Sequence, residues 1–432
     1  ARAGDAGAAR LGGVAAERVV ELLASPLRTL SLSVLQLEHY PALLGFLDLE
    51  TRRQVALSMV AAVTEADLPL ESAEAVNSLF TFITPLVKDE ENAPPQGAAA
   101  REPEAFAREQ QQVCRLVHQV RHEDTDVVHQ MLKAMLLFFG QGGPERLVFT
   151  LPPVCCAALG LVPRIRERER RRAEEGTGAA PAVTVKKVFQ FVHKANSELA
   201  HSAPEAALQL WLMAAASADQ AERAAGAQGA FEPICYEFLT QALIVFEEEI
   251  SETSKQYQAI FKFVGILTQI GCLEAENFDT AGTKVTQHAA RLLKKHLQCR
   301  AVANCSHLFW CEARRDGRRV LECLQKCLKL ADAVVTSDAK HVGLWVEMLD
   351  HYVYYYECQC EEVTVKFVQS LLNLCFEHIT FAENDAQSRE EGLRARQHLR
   401  GSITHLRSLK ASSEPEAAAR FAELSLEAPQ AP

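Results

Sequence analysis

Apolar side chains recur at three- and four-residue steps almost wherever this chain is traced. Val320, Leu324, Cys327, Ala331 and Val334 step by 4, 3, 4 and 3, which lays one apolar stripe along a helix whose other side carries Glu322, Gln325, Lys326 and Lys329. Val285, Ala289, Leu292, Leu293 and Leu297 repeat the pattern, as do Val365, Val368, Leu371, Leu372, Cys375, Phe376 and Ile379. The two-residue alternation of a strand is scarce. Val148-Phe149-Thr150-Leu151 is the best case, and Pro152-Pro153 ends it at once, two prolines that suit a loop followed by the first turn of a new helix. The expected fold class is all-α.

Short breakers separate the helical segments: Asp67-Leu68-Pro69, Gly140-Gln141-Gly142-Gly143-Pro144, Ser202-Ala203-Pro204, Gly271 and Asp316-Gly317. Helices joined by short breakers pack as antiparallel pairs. Two longer interruptions, residues 89–101 and 174–181, read as exposed loops. Neither marks a shift in composition, so the chain reads as one continuous array. That many helix pairs exceed what one bundle core absorbs, and stacking each pair on its neighbours solves the problem. No fixed-period motif of the tetratricopeptide or ankyrin kind is visible, which leaves degenerate pairs of the HEAT type.

Composition agrees with that reading. The 432 residues carry 45 Lys and Arg against 56 Asp and Glu, a net charge of −11 that argues against a general nucleic-acid binder. Hydrophobic residues at 48% and charged residues at 23% are globular values, and 21 Gly with 17 Pro supply too little punctuation for a turn-rich β architecture. Thirteen cysteines without module spacing read as free thiols in a reducing cytoplasm. No apolar run is expected to approach membrane-spanning length, the best being Ala242 to Phe246 between Gln241 and Glu247, so any membrane association is expected to be peripheral. The opening Ala1-Arg2-Ala3 has no secretory character, and the missing Met favours a fragment of a longer protein.

Candidate chemistry is sparse. His118 and His122 stand four apart, yet Gln119 occupies the place where a zinc protease carries Glu, and no third ligand is evident. Cys323 and Cys327 lie on an apolar stripe and read as core. Cys155-Cys156 and Cys358-Gln359-Cys360 lack the second pair of a structural zinc site. The glycines at 140, 142 and 143 are followed by Pro144 rather than Lys-Ser/Thr and form a turn, not a phosphate cradle. Residues 164–172 hold six arginines diluted by Glu167 and Glu169 and read as a solvated helix end. Glu247, Glu248 and Glu249 sit on successive helix positions and cannot converge. No catalytic, cofactor or metal site is expected. Two aromatic stretches, His307-Leu308-Phe309-Trp310 and Tyr352-Val353-Tyr354-Tyr355-Tyr356, suggest interface anchors, the first strengthened by Arg314, Arg315, Arg318 and Arg319.

Several ordered strings carry a resemblance. Phe46-Leu-Asp-Leu-Glu-Thr-Arg52, Gly140-Gln-Gly-Gly143, Val148-Phe-Thr-Leu-Pro-Pro153, Leu292-Leu-Lys-Lys295, Ser306-His-Leu-Phe-Trp310, Gly317-Arg-Arg-Val-Leu-Glu-Cys-Leu-Gln-Lys326 and Tyr352-Val-Tyr-Tyr-Tyr-Glu357 resemble the C-terminal half of the retromer large scaffold subunit family, vacuolar protein sorting-associated protein 35. The matches cover roughly residues 28 to 410. The resemblance implies a curved α-solenoid of HEAT-like antiparallel helix pairs over 28–410, with 1–27 leading in and 411–432 as a C-terminal helix or tail. It also implies a non-enzymatic scaffold in endosome-to-Golgi and recycling transport, cytoplasmic and peripheral on endosomal membrane. Its partner would be the small retromer subunit with a metallophosphoesterase fold, held on the concave face through Leu151, Pro152, Pro153, His307, Phe309 and Trp310, with Arg318 and Arg319 nearby. The C-terminal helices would self-associate.

Departures qualify the match. Cys156 stands where the family usually has a larger apolar side chain, and Cys311-Glu312-Ala313 replaces a small polar loop after Trp310. The family's Pro-Arg-Leu-Tyr-Leu motif is absent, so the arrestin-like retromer subunit is not expected to bind. The competing reading is a helical-repeat nucleic-acid or nuclear-transport adaptor using residues 164–172 and 314–319.

Overall fold

The computed structural model describes residues 14–37, 39–89, 102–176, 180–225, 229–311, 314–412 and 415–427. The protein is 79% helical, as the three- and four-residue stripes require. Two compact units, Ala1–Glu249 and Ile250–Pro432, divide the chain.

The first unit contains α1 (Val14–Leu30), α2 (Leu49–Glu65), α3 (Ala73–Phe82), the single turn α4 (Thr84–Val87), α5 (Pro103–Cys114), α6 (Thr125–Phe139), α7 (Pro144–Leu159), α8 (Leu161–Glu175), α9 (Val185–Leu199), α10 (Pro204–Ala225) and α11 (Glu232–Glu249). Local chemistry sets the starts. Asp48, Ser72 and Asp124 each accept a backbone N–H from the first turn at 2.8–3.1 Å, and Pro103, Pro144 and Pro204 open helices where no N–H is needed. Stops are as explicit: Asp67 turns at φ +51, and Gly176 closes α8 in the left-handed region at φ +66. In the Gly140–Pro144 turn, a side chain at 142 would meet the Val87 carbonyl at 2.5 Å, and Gly143 has φ +76.

The main contacts of the unit join helices one to three apart in the chain. α7 touches α5, α6, α8, α9 and α10, and α10 touches α7, α8, α9 and α11, the local contact pattern of a helical repeat. The core is aromatic at α9–α11, where Phe189, Trp211 and Phe238 are at most 2% exposed and Trp211 meets Phe238 at 5.6 Å. A polar exception lies between α2 and α5. Arg53, 3% exposed, pairs with the 8% exposed Glu109 and donates to the Pro85 carbonyl at 3.2 Å. Burial pushes the Glu109 carboxyl up, and the Arg53 charge opposes the shift.

Two expectations are corrected here. Pro152 and Pro153 lie inside α7 rather than ahead of it; helix packing on several sides overrides the break that an isolated Pro-Pro imposes. Residues 147–163 carry no charged side chain, and Pro144–Glu175 contains a stretch long and apolar enough, by length and composition, to cross a membrane. Half of that stretch is buried in the unit, so among the described residues this apolar run, and not Ala242 to Phe246, is the candidate by length, and its buried half serves as core. The loop expected at 89–101 lies outside the described residues except for Asp89, as do residues 177–179 of the second loop.

The second unit contains α12 (Thr253–Leu267), α13 (Ala275–Ala289), α14 (Lys295–Cys305), a two-strand hairpin β1 (Trp310–Cys311) and β2 (Arg314–Arg315), α15 (Gly317–Ser337), α16 (Gly343–Glu357), α17 (Val365–Asn384), α18 (Arg389–Lys410) and α19 (Pro415–Phe421). α12, α14, α16 and α18 form one contacting row, with α13, α15 and α17 interleaved. The α15 stripe read from sequence is buried throughout: Val320, Leu324, Cys327, Ala331 and Val334 are at most 7% exposed. The stripe read through Leu293 is corrected, because α13 ends at Ala289 and Leu293 is 85% exposed. Arg300 on α14 donates twice to Glu347 on α16, both at 2.7 Å.

Candidate interaction surfaces

On α7, Leu151 is fully buried, while Pro152 and Pro153 are half-buried beside exposed Val148 and Cys156. Val148, Pro152 and Cys156 recur every four residues and form one apolar strip. Neither proline has an N–H, so the Val148 and Phe149 carbonyls lack the usual helical donor on that strip. Leu151 shapes this surface from beneath. Cys156 was noted in the sequence; Val148 was legible only as part of a supposed strand.

In the second unit, α14 ends in a tight turn at Ser306–Phe309, and the hairpin follows. Trp310 pairs in register with Arg315, and Cys311 with Arg314. The Asp316 N–H donates to the Phe309 carbonyl at 2.9 Å, closing the loop. Asp316 then caps α15 by accepting the Arg319 N–H at 3.1 Å. The resemblance-derived residues His307, Phe309, Trp310, Arg318 and Arg319 therefore share one corner of the fold.

Within it, Phe309 is 7% exposed and His307 and Trp310 are half-buried. Trp310 meets Tyr355 edge-on at 6.5 Å, and its Nε1 is sunk without an acceptor among the described residues. His307 sits among His351, Tyr354 and Tyr355 at 5.1–5.6 Å. Burial, with His351 adding a smaller effect, pushes its pKa down to about 4, so the ring is neutral at pH 7. Three arginines lie over rings: Arg314 over Phe278 at 3.3 Å, Arg315 over Trp310 at 4.9 Å and Arg319 over Phe309 at 5.1 Å. Arg319 also pairs with Asp279. Arg318 is exposed and pairs with Glu322 at 3.2 Å. The sequence reading missed the hairpin, because a two-residue strand leaves no alternation to read. Residues 312 and 313 of its tip lie outside the described residues.

The tyrosine run divides. Tyr352 and Tyr355 are fully buried, Tyr355 sharing a 2.7 Å hydrogen bond with Ser306, whereas Tyr354 is 43% exposed. His118 and His122 do not share a helix face, because the short helical turn holding His118 ends at Gln119. Among the described residues, no group of three His, Cys, Asp or Glu is placed to hold a metal ion. The arginines of residues 164–172 are largely engaged: Arg170 and Arg171 pair with Glu167 at 3.0 and 2.7 Å, Arg166 with Glu169 at 2.8 Å, and Arg168 with Asp124 at 2.8 Å. That leaves the nucleic-acid reading without its main basic surface.

A family model, Vps35, vacuolar protein sorting-associated protein 35, matches residues 7–378. The chain belongs to this family. Vacuolar protein sorting-associated protein 35A of Arabidopsis thaliana is 36% identical over 375 residues, covering 83% of the chain and 45% of that protein. Protein 35B of the same plant is 34% identical over 372 residues, with the same coverage. Vacuolar protein sorting-associated protein 35 of Schizosaccharomyces pombe is 27% identical over 349 residues, covering 79% of the chain and 38% of the relative. The chain thus spans less than half the length of these Vps35 relatives.

Proposed function

We propose that this chain is the part of a retromer large subunit that holds the small, metallophosphoesterase-fold subunit, as a non-enzymatic scaffold in endosome-to-Golgi and recycling transport. The observation that carries the reading is the family match over residues 7–378. A row of packed helices offers extended surface and little reorganisation on docking. The half-exposed Trp310 corner and the α7 strip at Val148, Pro152, Pro153 and Cys156 have the aromatic, Arg-flanked and apolar character of interface centres. The protein works in the cytoplasm, peripheral on endosomal membrane through its partners, and needs no cofactor. Its C-terminal helices self-associate, and the arrestin-like subunit does not join this chain directly. Co-purification with the small subunit, with all captured proteins identified by mass spectrometry, tests the reading. Stoichiometric recovery supports it, and failure of the two purified proteins to bind at micromolar concentration overturns it.

A further inference from the structure

The α14–α15 interface holds a pair of thiols that the scaffold reading does not use. Cys299 and Cys327, both fully buried, face each other across the two helices. The Cys299 thiol donates to the Cys327 carbonyl at 3.4 Å, and the Cys327 thiol donates to the Cys299 carbonyl at 3.4 Å. This reciprocity brings each sulfur against the other residue's backbone. Ala303 on α14 and Ala331 on α15, one turn along from each cysteine, are also fully buried. Small side chains at both positions let the helix backbones approach closely. The short Cα separation that a disulfide demands is thereby favoured before any bond forms.

We propose that Cys299 and Cys327 are a latent disulfide that peroxide converts into a covalent staple between α14 and α15. One thiol, as thiolate, attacks the O–O bond of hydrogen peroxide; it becomes a sulfenic acid and hydroxide leaves. The second thiolate attacks that sulfur, forms the S–S bond and expels the sulfenic oxygen as hydroxide. Two thiols and one peroxide thus yield one disulfide and two waters. The staple joins residues 28 apart and closes a loop that contains His307, Phe309, Trp310, the hairpin and the start of α15. The Cys299 contact and burial hold the Cys327 thiol well above its ordinary range, so Cys327 rests as a thiol and reacts only when the interface opens. The oxidation is therefore slow in the native protein and is accelerated by raised pH or by urea below the unfolding midpoint. Neighbouring Cys305 and Cys323 are also buried and are the competitors for pairing.

The full chain treated with hydrogen peroxide, alkylated after unfolding and digested, tests this directly. The expected product is a linked peptide pair carrying Cys299 and Cys327, abolished by dithiothreitol and absent from Cys299→Ser. Oxidation should also raise the melting temperature by about 5 °C, the scale of a loop-closing staple, and slow amide exchange over residues 306–316. Cys305→Ala keeps both partners and should keep the link, which guards against a Cys299→Ser protein that fails to fold. Cys299 and Cys327 alkylated in full after the exposed thiols have been consumed would overturn the proposal. So would Cys327 recovered linked to Cys305 or Cys323, or as a sulfinic acid.

Discussion

At the scale of single residues, Trp310 and His307 are governed by the same half-burial and respond to different experiments. Trp310 leans on Tyr355 and under Arg315 without being enclosed, so Trp310→Ala should weaken binding of the small subunit by about 2 kcal/mol or more. Its cost in stability should fall short of the roughly 3–5 kcal/mol of a fully enclosed Trp. Cys327→Ala is the contrast, since it should lower the melting temperature with affinity per folded molecule unchanged; titration calorimetry and thermal unfolding of both variants separate the outcomes. His307 is held neutral, its pKa lowered to about 4 from an ordinary 6.5. Between those values the unfolded chain binds a proton that the folded chain refuses. Its contribution to stability is therefore complete above about 6.5 and is lost as pH falls toward 4. His307→Leu should flatten the pH dependence of the melting temperature in that window, and an unchanged slope would assign the dependence to other groups, such as His351, which burial also pushes down.

At the scale of elements, α7 shows what the sequence could and could not reveal. The stripes on α15 and α17 were legible because neighbours cover one side only, and a half-buried helix writes its period into the sequence. α7 touches five other helices, so its apolar residues lose periodicity, and the Val148–Leu151 run looked like a strand ended by prolines. The Arg53–Glu109 pair was illegible for a related reason, since its partners lie 56 residues apart and each alone reads as surface. The Trp310 corner was visible as composition, but its hairpin and the stacking of Arg314 on Phe278 required the fold. Two changes probe the element directly. Pro152→Ala gives the Val148 carbonyl its helical donor back, at a position where Pro is unfavourable by up to about 3 kcal/mol; chemical denaturation should show a gain, and a loss would mean that the proline ring packs better than the hydrogen bond it removes. Replacing residues 174–181 with a short Gly/Ser linker should leave the melting temperature nearly unchanged, because that composition supplies no core and loop closure costs little; a large drop would show the segment to be packed.

At the scale of the whole molecule, main contacts that within each unit join helices no more than three apart in the chain make stability a sum of local terms rather than one shared core. A single global transition is then not required, and two-state behaviour is expected to fail in a chain of 432 residues. The three tryptophans make this measurable, for Trp211 belongs to the unit Ala1–Glu249 and Trp310 and Trp345 belong to Ile250–Pro432. Trp211→Phe leaves fluorescence that reports only the second unit, and Trp310→Phe with Trp345→Phe leaves a reporter only in the first. Trp211 is 1% exposed and packed on Phe238 and His193, so its emission should shift sharply when its own layer opens. Urea titrations of the two proteins, each paired with far-ultraviolet circular dichroism to correct for the stability cost of its substitutions, should give non-coincident fluorescence and dichroism curves. Each slope should also be smaller than that of a cooperative chain of this length, because the slope follows the surface exposed in one step. Curves that superimpose, with one slope appropriate to all 432 residues, would show that the helices unfold as a single cooperative body and that the local-contact account of this chain's stability is wrong.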